Sequence, residues 1–180
     1  MKKTYAVVVV GLLISMEIVF SRIIPVVDLP YVRAGFGFLP VSIGAMIFGP
    51  VSGGVIYALS DFIGVTVMNR SIAPPHPGIV LSRFLAGLIY GLFLYKKPKS
   101  VLRVFLSVLT VNLCIDIGLT TYWLSTMYKE AYRVIFLQRA MLSLIMIPVQ
   151  TCAIHYVWRY LGGFIESNIL PKISLRKETA

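Results

Sequence analysis

Three arginines, Arg22, Arg83 and Arg139, stand inside stretches that are otherwise apolar, and two carboxylates, Asp61 and Asp116, share that setting. An ionisable side chain in hydrocarbon costs roughly 2.5–3.5 kcal/mol on insertion scales, so such residues face a bundle interior or a wet cavity. An arginine fork pairs with a carboxylate through two parallel hydrogen bonds. Phe36, Phe38, Tyr122, Trp123 and Tyr128 fall at the same level of the chain. A flat heteroaromatic ligand carrying carboxylates needs both features, aromatic faces for stacking and arginine forks for its acidic groups. Asp61 or Asp116 would accept hydrogen bonds from its ring N–H or amino groups. Each feature also has a plainer reading. The aromatics fit an interfacial belt, and the acids fit ion pairs with neighbouring arginines. Asn112, Asp116 and Trp123 lie four and seven residues apart, on one helix face, and that face fits an interhelical hydrogen-bond seam.

The elements that must position these residues follow from composition. The chain has 180 residues, 58% hydrophobic and 13% charged, with a mean hydropathy of +0.85. About 20 apolar residues cross the hydrocarbon as a helix, and charges here vanish for long stretches and return in clusters. The expected fold is an all-α integral membrane bundle of six spans, at about 5–24, 34–49, 51–68, 78–95, 101–127 and 132–160. A basic tail, 161–180, follows, and one membrane domain fills 1–180. Pro25 to Arg33 reads as a polar connection. Gly49-Pro50 and Gly53-Gly54 read as the breakers of a tight hairpin. Asn69 to Pro77, with Arg70 and His76, reads as a loop, and Lys129-Glu130 as a turn. Glu17 interrupts the first apolar run and Ser21-Arg22-Ile23 is not a small-x-small cleavage site, so that run is expected to be a retained helix.

Orientation follows from the 17 Lys and Arg. Lys2, Lys3, Lys96, Lys97, Lys99, Arg103, Arg159, Lys172, Arg176 and Lys177 fall on one side of a six-span bundle, which the positive-inside rule makes cytoplasmic. Both termini are then inside. Arg22, Arg33, Arg70, Arg83, Lys129, Arg133 and Arg139 remain for the outer face or the outer half of the helices, with Glu17, Asp28, Asp61, Asp116 and Glu130 as acidic neighbours.

Other chemistries lack their residues. There is no phosphate-binding glycine loop with Lys-Ser/Thr, no paired-histidine motif and no Gly-x-Ser-x-Gly. No catalytic residue, metal site or cofactor is expected. Cys114 and Cys152 lie in apolar segments and read as small hydrophobes. The basic balance comes from loop charges and needs no nucleic acid. Gly11-x-x-x-Ser15 and Gly87-x-x-x-Gly91 are small-residue pairs that let helix backbones approach.

Several short segments, in order, point to a family. They are Gly35-Phe-Gly-Phe38-Leu-Pro40, Ser60-Asp61-Phe-Ile-Gly64, Ser82 to Tyr95, Thr121-Tyr-Trp123-Leu, and Arg139 followed by Ile147-Pro148-Val-Gln150. The chain resembles the substrate-binding S components of energy-coupling factor (ECF) vitamin transporters, with the folate subgroup as the nearest pattern. That resemblance implies a six-helix subunit of the bacterial plasma membrane that captures its vitamin at the extracellular side. It implies partners, namely a transmembrane coupling protein and two cytoplasmic ATPases, with the lipid bilayer around them. It places substrate contacts at Arg22, Arg83, Thr121, Trp123 and Arg139. The Ala-x-x-x-Ala docking surface of the family's first helix corresponds to Gly11 and Ser15. The family's Asn before Thr121 is Thr120 here, and its Pro-Gly-Phe-Thr-Leu-Ser reads Pro77-Gly-Ile-Val-Leu-Ser82.

The leading expectation is therefore a folate-binding transport subunit without its own ATPase site. Arg22, Arg83 and Arg139 would hold carboxylates or ring acceptors, Phe36, Phe38 and Trp123 would stack, and Asp61 or Asp116 would meet the donors of the pterin. Two alternatives stand beside it. One is an S component for another vitamin or precursor. The other is a small membrane enzyme acting on a lipid phosphate through the Asp61, Asp116 and arginine cluster.

Overall fold

The computed structural model describes residues 2–23, 25–29, 32–68, 76–128, 132–165 and 167. Arg70, Lys129 and Glu130, most of the 69–77 loop and most of the basic tail lie outside the described residues. α1 (Lys2–Ile18) continues into a π-helical turn, Val19–Ile23. The polar connection drawn at Pro25 to Arg33 departs from the all-α expectation: it is a two-stranded antiparallel hairpin of β1 (Pro25–Leu29) and β2 (Val32–Gly35), with Asp28 opposite Arg33 and a register shift between Pro25 and Val27. β-Branched valines on both strands suit extended backbone.

α2 (Phe38–Phe48) starts four residues later than the span drawn from 34, because Val32–Gly35 is taken by the hairpin. Gly49, at φ 98°, turns the chain in one residue, and Pro50 opens α3 (Pro50–Met68). That φ lies in the region where only glycine is free of a Cβ penalty. α4 (Pro77–Leu94) starts with Pro77 in its first turn, and the His76 imidazole accepts a hydrogen bond from the Gly78 amide. Proline suits that position because its missing N–H would be unpaired there anyway.

The fifth predicted span is one rod in three parts: α5 (Val101–Thr110), a π-helical segment Val111–Thr120, and α6 (Thr121–Tyr128). α7 (Tyr132–Phe164) is the last helix among the described elements and contains Pro148. Among the described residues, five helical stretches are long and apolar enough to cross a membrane: Thr4–Ile23, Pro50–Val67, Pro77–Leu94, Val101–Tyr128 and Tyr132–Phe164. Phe38–Phe48 is apolar but shorter. At 1.5 Å per residue it spans only about 16 Å.

The core joins α2, α4, α5 and the π segment through Val41, Ala45, Tyr90, Leu94, Val108 and Ile115. The outside is apolar as well, with Val7 70% and Leu144 75% exposed, as lipid contact requires. In lipid the helices associate by close packing rather than by escape from water, and glycines supply that packing here. A Cβ on Gly87 would run into the Gly53 carbonyl, and one on Gly91 into the Pro50 backbone. Gly53 and Gly54 are thus not turn breakers. They lie inside α3, where a Cβ on Gly54 would stand 2.8 Å from the Phe84 carbonyl oxygen of α4. The Gly87-x-x-x-Gly91 pair is spent on this internal crossing.

Candidate functional site

The charged residues singled out by sequence meet inside the bundle. The π turn ending α1 presents Arg22, which is 9% exposed and donates from Nη2 to Asp61 Oδ1 on α3 at 2.8 Å. Gly64, one turn beyond Asp61, leaves room for this arginine: a Cβ there would lie 3.0 Å from Arg22 Nε. Arg83 on α4 bridges both acids. Its Nε is 3.8 Å from Asp61 Oδ1 and its Nη1 is 3.6 Å from Asp116 Oδ1. Nη1 also donates to the Tyr57 hydroxyl at 3.0 Å, and the guanidinium carbon sits 5.2 Å from the centre of the Tyr57 ring. Tyr57 thus holds Arg83 by a hydrogen bond and a cation–π contact together.

The π segment gives Asp116 a second function. Its backbone carbonyl accepts from Thr121 Oγ1 at 3.2 Å and from Arg139 Nη1 of α7 at 2.9 Å. A π segment lengthens the backbone bond to i→i+5, and such segments are frequent at functional sites. The Thr121 hydroxyl reaches back over the same five residues to Asp116, while its backbone N–H goes to the Gly118 carbonyl. Asn112, at the start of the segment, donates to Gln150 Oε1 at 2.9 Å. The shared face drawn for Asn112, Asp116 and Trp123 therefore divides, with Asn112 in an interhelical seam and Asp116 in the ionic cluster.

Trp123 lies on α6 in a small aromatic group, 5.3 Å from His76 and 5.3 Å from Tyr122 between ring centroids. Gly78 makes this possible, since a Cβ there would overlap the indole. Phe36 and Phe38 are 6.0 Å apart. Phe36 is 36% exposed, whereas Phe38 is 6% exposed and packs in the main core. Gly11 and Ser15 are exposed on α1, nothing stands within 4 Å of a Cβ built on Gly11, and Ser15 Oγ bonds back to the Gly11 carbonyl at 2.9 Å.

Several groups in this region were not singled out as site residues from sequence. Tyr57 stands four residues before Asp61 on α3, a spacing that could have paired them. Glu17 is 3% exposed and has Ser60, Asp61, Arg83 and Arg22 as electrostatic neighbours. Arg22, Arg83 and Arg139 are thus matched in number by Glu17, Asp61 and Asp116. Among the described residues, Arg83 Nε, Arg139 Nε, Trp123 Nε1 and the Thr120 hydroxyl are buried in this region without a hydrogen-bond partner. Buried donors in native proteins are nearly always satisfied, and a set left over among arginines and an indole suits a ligand with carboxylate and ring acceptors. Among the described residues, no group of three or more His, Cys, Asp or Glu is arranged to hold a metal ion.

A family model for the substrate-specific component of ECF transporters matches residues 6–173. The chain belongs to this family. It is a multi-pass bacterial membrane protein of a transporter family, not of an enzyme class. Among its relatives, the folate transporter FolT of Clostridium novyi (strain NT) is 35% identical over 174 residues, covering 97% of this chain and 99% of that protein. The folate transporter FolT of Leuconostoc mesenteroides subsp. mesenteroides is 31% identical over 149 residues, covering 79% and 78%. A crystal structure of FolT bound with folic acid superposes with a TM-score of 0.78 at 36% identity, covering 86% of this chain and 91% of that one. The arginines and carboxylates of the ECF component described here therefore sit in a FolT-like fold.

Proposed function

We propose that this chain is a folate-binding S component, one membrane domain over 1–180, that captures folate at the extracellular side and delivers it inward with a transmembrane coupling protein and two ATPases. The observation that carries the reading is the row Arg22–Asp61–Arg83–Asp116, buried at Arg22 and Asp61 and part-buried at Arg83 and Asp116, with Arg139 beside it. It supplies forks for the two carboxylates of the glutamate moiety and acceptors for pterin donors. Arg83, Arg139 and Trp123 each retain a buried N–H without a hydrogen-bond partner, and Phe36, Phe38 and Thr121 complete the proposed contacts. The likeness to FolT, including FolT bound with folic acid, supports folate over other vitamins.

In this reading α2 counts as a short sixth span and both termini are cytoplasmic. Lys99 lies 4.5 Å over the Trp158 ring, so the basic α4–α5 connection and the end of α7 near Arg159 share one end of the bundle, as the positive-inside assignment needs. The exposed Gly11 and Ser15 form the docking face for the coupling protein. The energy for release comes from partners that bind the loaded and empty forms differently.

The test uses purified protein in detergent with Trp158→Phe, which leaves Trp123 as the one indole of the two in the chain. Folate is expected to quench its fluorescence at micromolar concentration or below, with thiamine and pantothenate inert. No folate binding below about 1 mM, a free energy weaker than about 4 kcal/mol, overturns the reading. Turnover of a lipid phosphate without partner proteins would replace it with the enzyme.

A further inference from the structure

Glu17 is a carboxylate in the last turn of α1, inside a membrane-spanning stretch, and is 3% exposed. It projects into the junction of α1, α2 and α3. Ser60 of α3 is its neighbour, with a hydroxyl that donates to the Tyr57 carbonyl at 3.0 Å, and Glu17 Oε1 lies 3.0 Å from where a Cβ on Gly37 would stand. Gly37 is the middle residue of Phe36-Gly37-Phe38, so the carboxylate sits against the turn that carries the two phenylalanines. Arg22, Asp61 and Arg83 surround it electrostatically.

The two oxygens of Glu17 differ. Oε2 is buried and has no hydrogen-bond partner, and among the described residues it is the one carboxylate oxygen in that condition. Asp61, by contrast, already receives Arg22 at 2.8 Å and faces Arg83 at 3.8 Å through Oδ1. Asp116 faces Arg83 at 3.6 Å. A buried acceptor left unsatisfied is destabilising, and more so when it carries charge and water is excluded. Its place beside Arg22 and Arg83 calls for a donor that arrives from outside the chain.

We propose that Glu17 Oε2 is a ligand-contacting acceptor, which receives a hydrogen bond from the amino-substituted edge of a flat nitrogen heterocycle. An exocyclic amino group beside a ring N–H presents two parallel donors, the arrangement that carboxylates accept from guanidinium groups. This inference rests on the folate reading and shifts the donor-recognising role from Asp61 and Asp116, which are engaged by arginine, to Glu17. The ligand's carboxylates remain with the arginines.

The experiment is a cycle between protein and ligand. Folate and 2-desamino-folate, which lacks the exocyclic amino donor, are titrated against the natural protein and against Glu17→Gln, with thermal unfolding of the ligand-free forms measured alongside. The natural protein is expected to prefer folate by at least about tenfold, and Glu17→Gln to lose most of that preference while keeping its binding of the desamino compound within about threefold. Should Glu17→Gln not fold, Glu17→Asp, which withdraws the acceptor by one methylene, enters the same cycle with the same expectation. Equal weakening of both ligands, or an unchanged preference, overturns the proposal and leaves Glu17 a structural charge. Failure of the natural protein to bind folate at all would instead refute the function on which the inference rests.

Discussion

Arg139 reaches Asp116 at its backbone carbonyl oxygen, 2.9 Å from Nη1, while the carboxylate of the same residue faces Arg83 at 3.6 Å. One residue thus serves two arginines through different groups, and only one of these contacts depends on its side chain. Asp116→Ala should therefore couple more strongly to Arg83→Ala than to Arg139→Ala, which feels the carboxylate only through its charge. In double-mutant cycles read by thermal unfolding, the Asp116–Arg83 pair is expected to show about 0.5–3 kcal/mol of interaction, and the Asp116–Arg139 pair to show less.

Arg22 and Asp61 are both nearly buried, with side chains 9% and 10% exposed. Removing one partner of such a pair strands the other charge, at about 3–5 kcal/mol. Arg83 at 3.8 Å still faces Asp61, so Arg22→Met should fall at the low end of that range. The double variant Arg22→Met/Asp61→Leu should recover part of the loss. Unfolding midpoints in detergent measure both.

Arg83 touches Tyr57, Asp61 and Asp116 at once. Arg83→Ala is expected to weaken folate binding by about 10- to 100-fold, the scale of a charge-assisted hydrogen-bonded contact. Arg83→Lys should not restore it, because an ammonium lacks the planar fork and has two fewer donors. Titration by Trp123 fluorescence gives both values.

Two small-residue pairs make opposite predictions. A side chain on Gly87 meets the Gly53 backbone, whereas one on Gly11 meets nothing within 4 Å. Gly87→Val should destabilise the isolated protein by about 1–3 kcal/mol or more, as overpacking does. Gly11→Val should leave stability and folate binding intact and lower uptake in cells that supply the coupling protein and ATPases. Normal uptake by Gly11→Val would remove Gly11 from the docking face.

The ring of Trp123 occupies space that Gly78 leaves open. Gly78→Ala must displace the indole from its place near His76. The expected readout is a shifted Trp123 emission in the Trp158→Phe background, together with weaker folate quenching, while Ser82→Ala, which removes only a hydroxyl bonded back to the Gly78 carbonyl at 2.9 Å, changes neither.

The long apolar runs and the deep charges were legible because hydrocarbon makes both conspicuous: a run of about 20 apolar residues and an arginine inside it are each hard to place otherwise. The association of Arg22, Arg83 and Arg139 with Asp61 and Asp116 was readable as either ligand site or ion pairs, and the side chains do form the pairs. The hairpin Pro25–Leu29/Val32–Gly35 was not legible, since two prolines and charged residues on short strands look like loop. Nor was the π segment, because Val111–Thr120 has the same apolar composition as an α-helix and its longer hydrogen bonds leave no periodic mark. Glu17 and Tyr57 were hidden for a different reason. Their importance lies in which neighbour each lacks or finds across the bundle, and spacing along one helix does not record that.

The backbone between Val111 and Thr120 fixes more than a carbonyl. Each residue of an α-helix advances the chain by about 100° around its axis, so the direction in which Trp123 points depends on how many residues the wide segment absorbs before the regular spiral resumes at Thr121. Loss or gain of a single residue there would leave the apolar character of the span unchanged and turn the indole about a quarter circle away from His76. The aromatic end of this protein is set by a residue count, and chain length in that segment is a tuning element as exacting as any side chain.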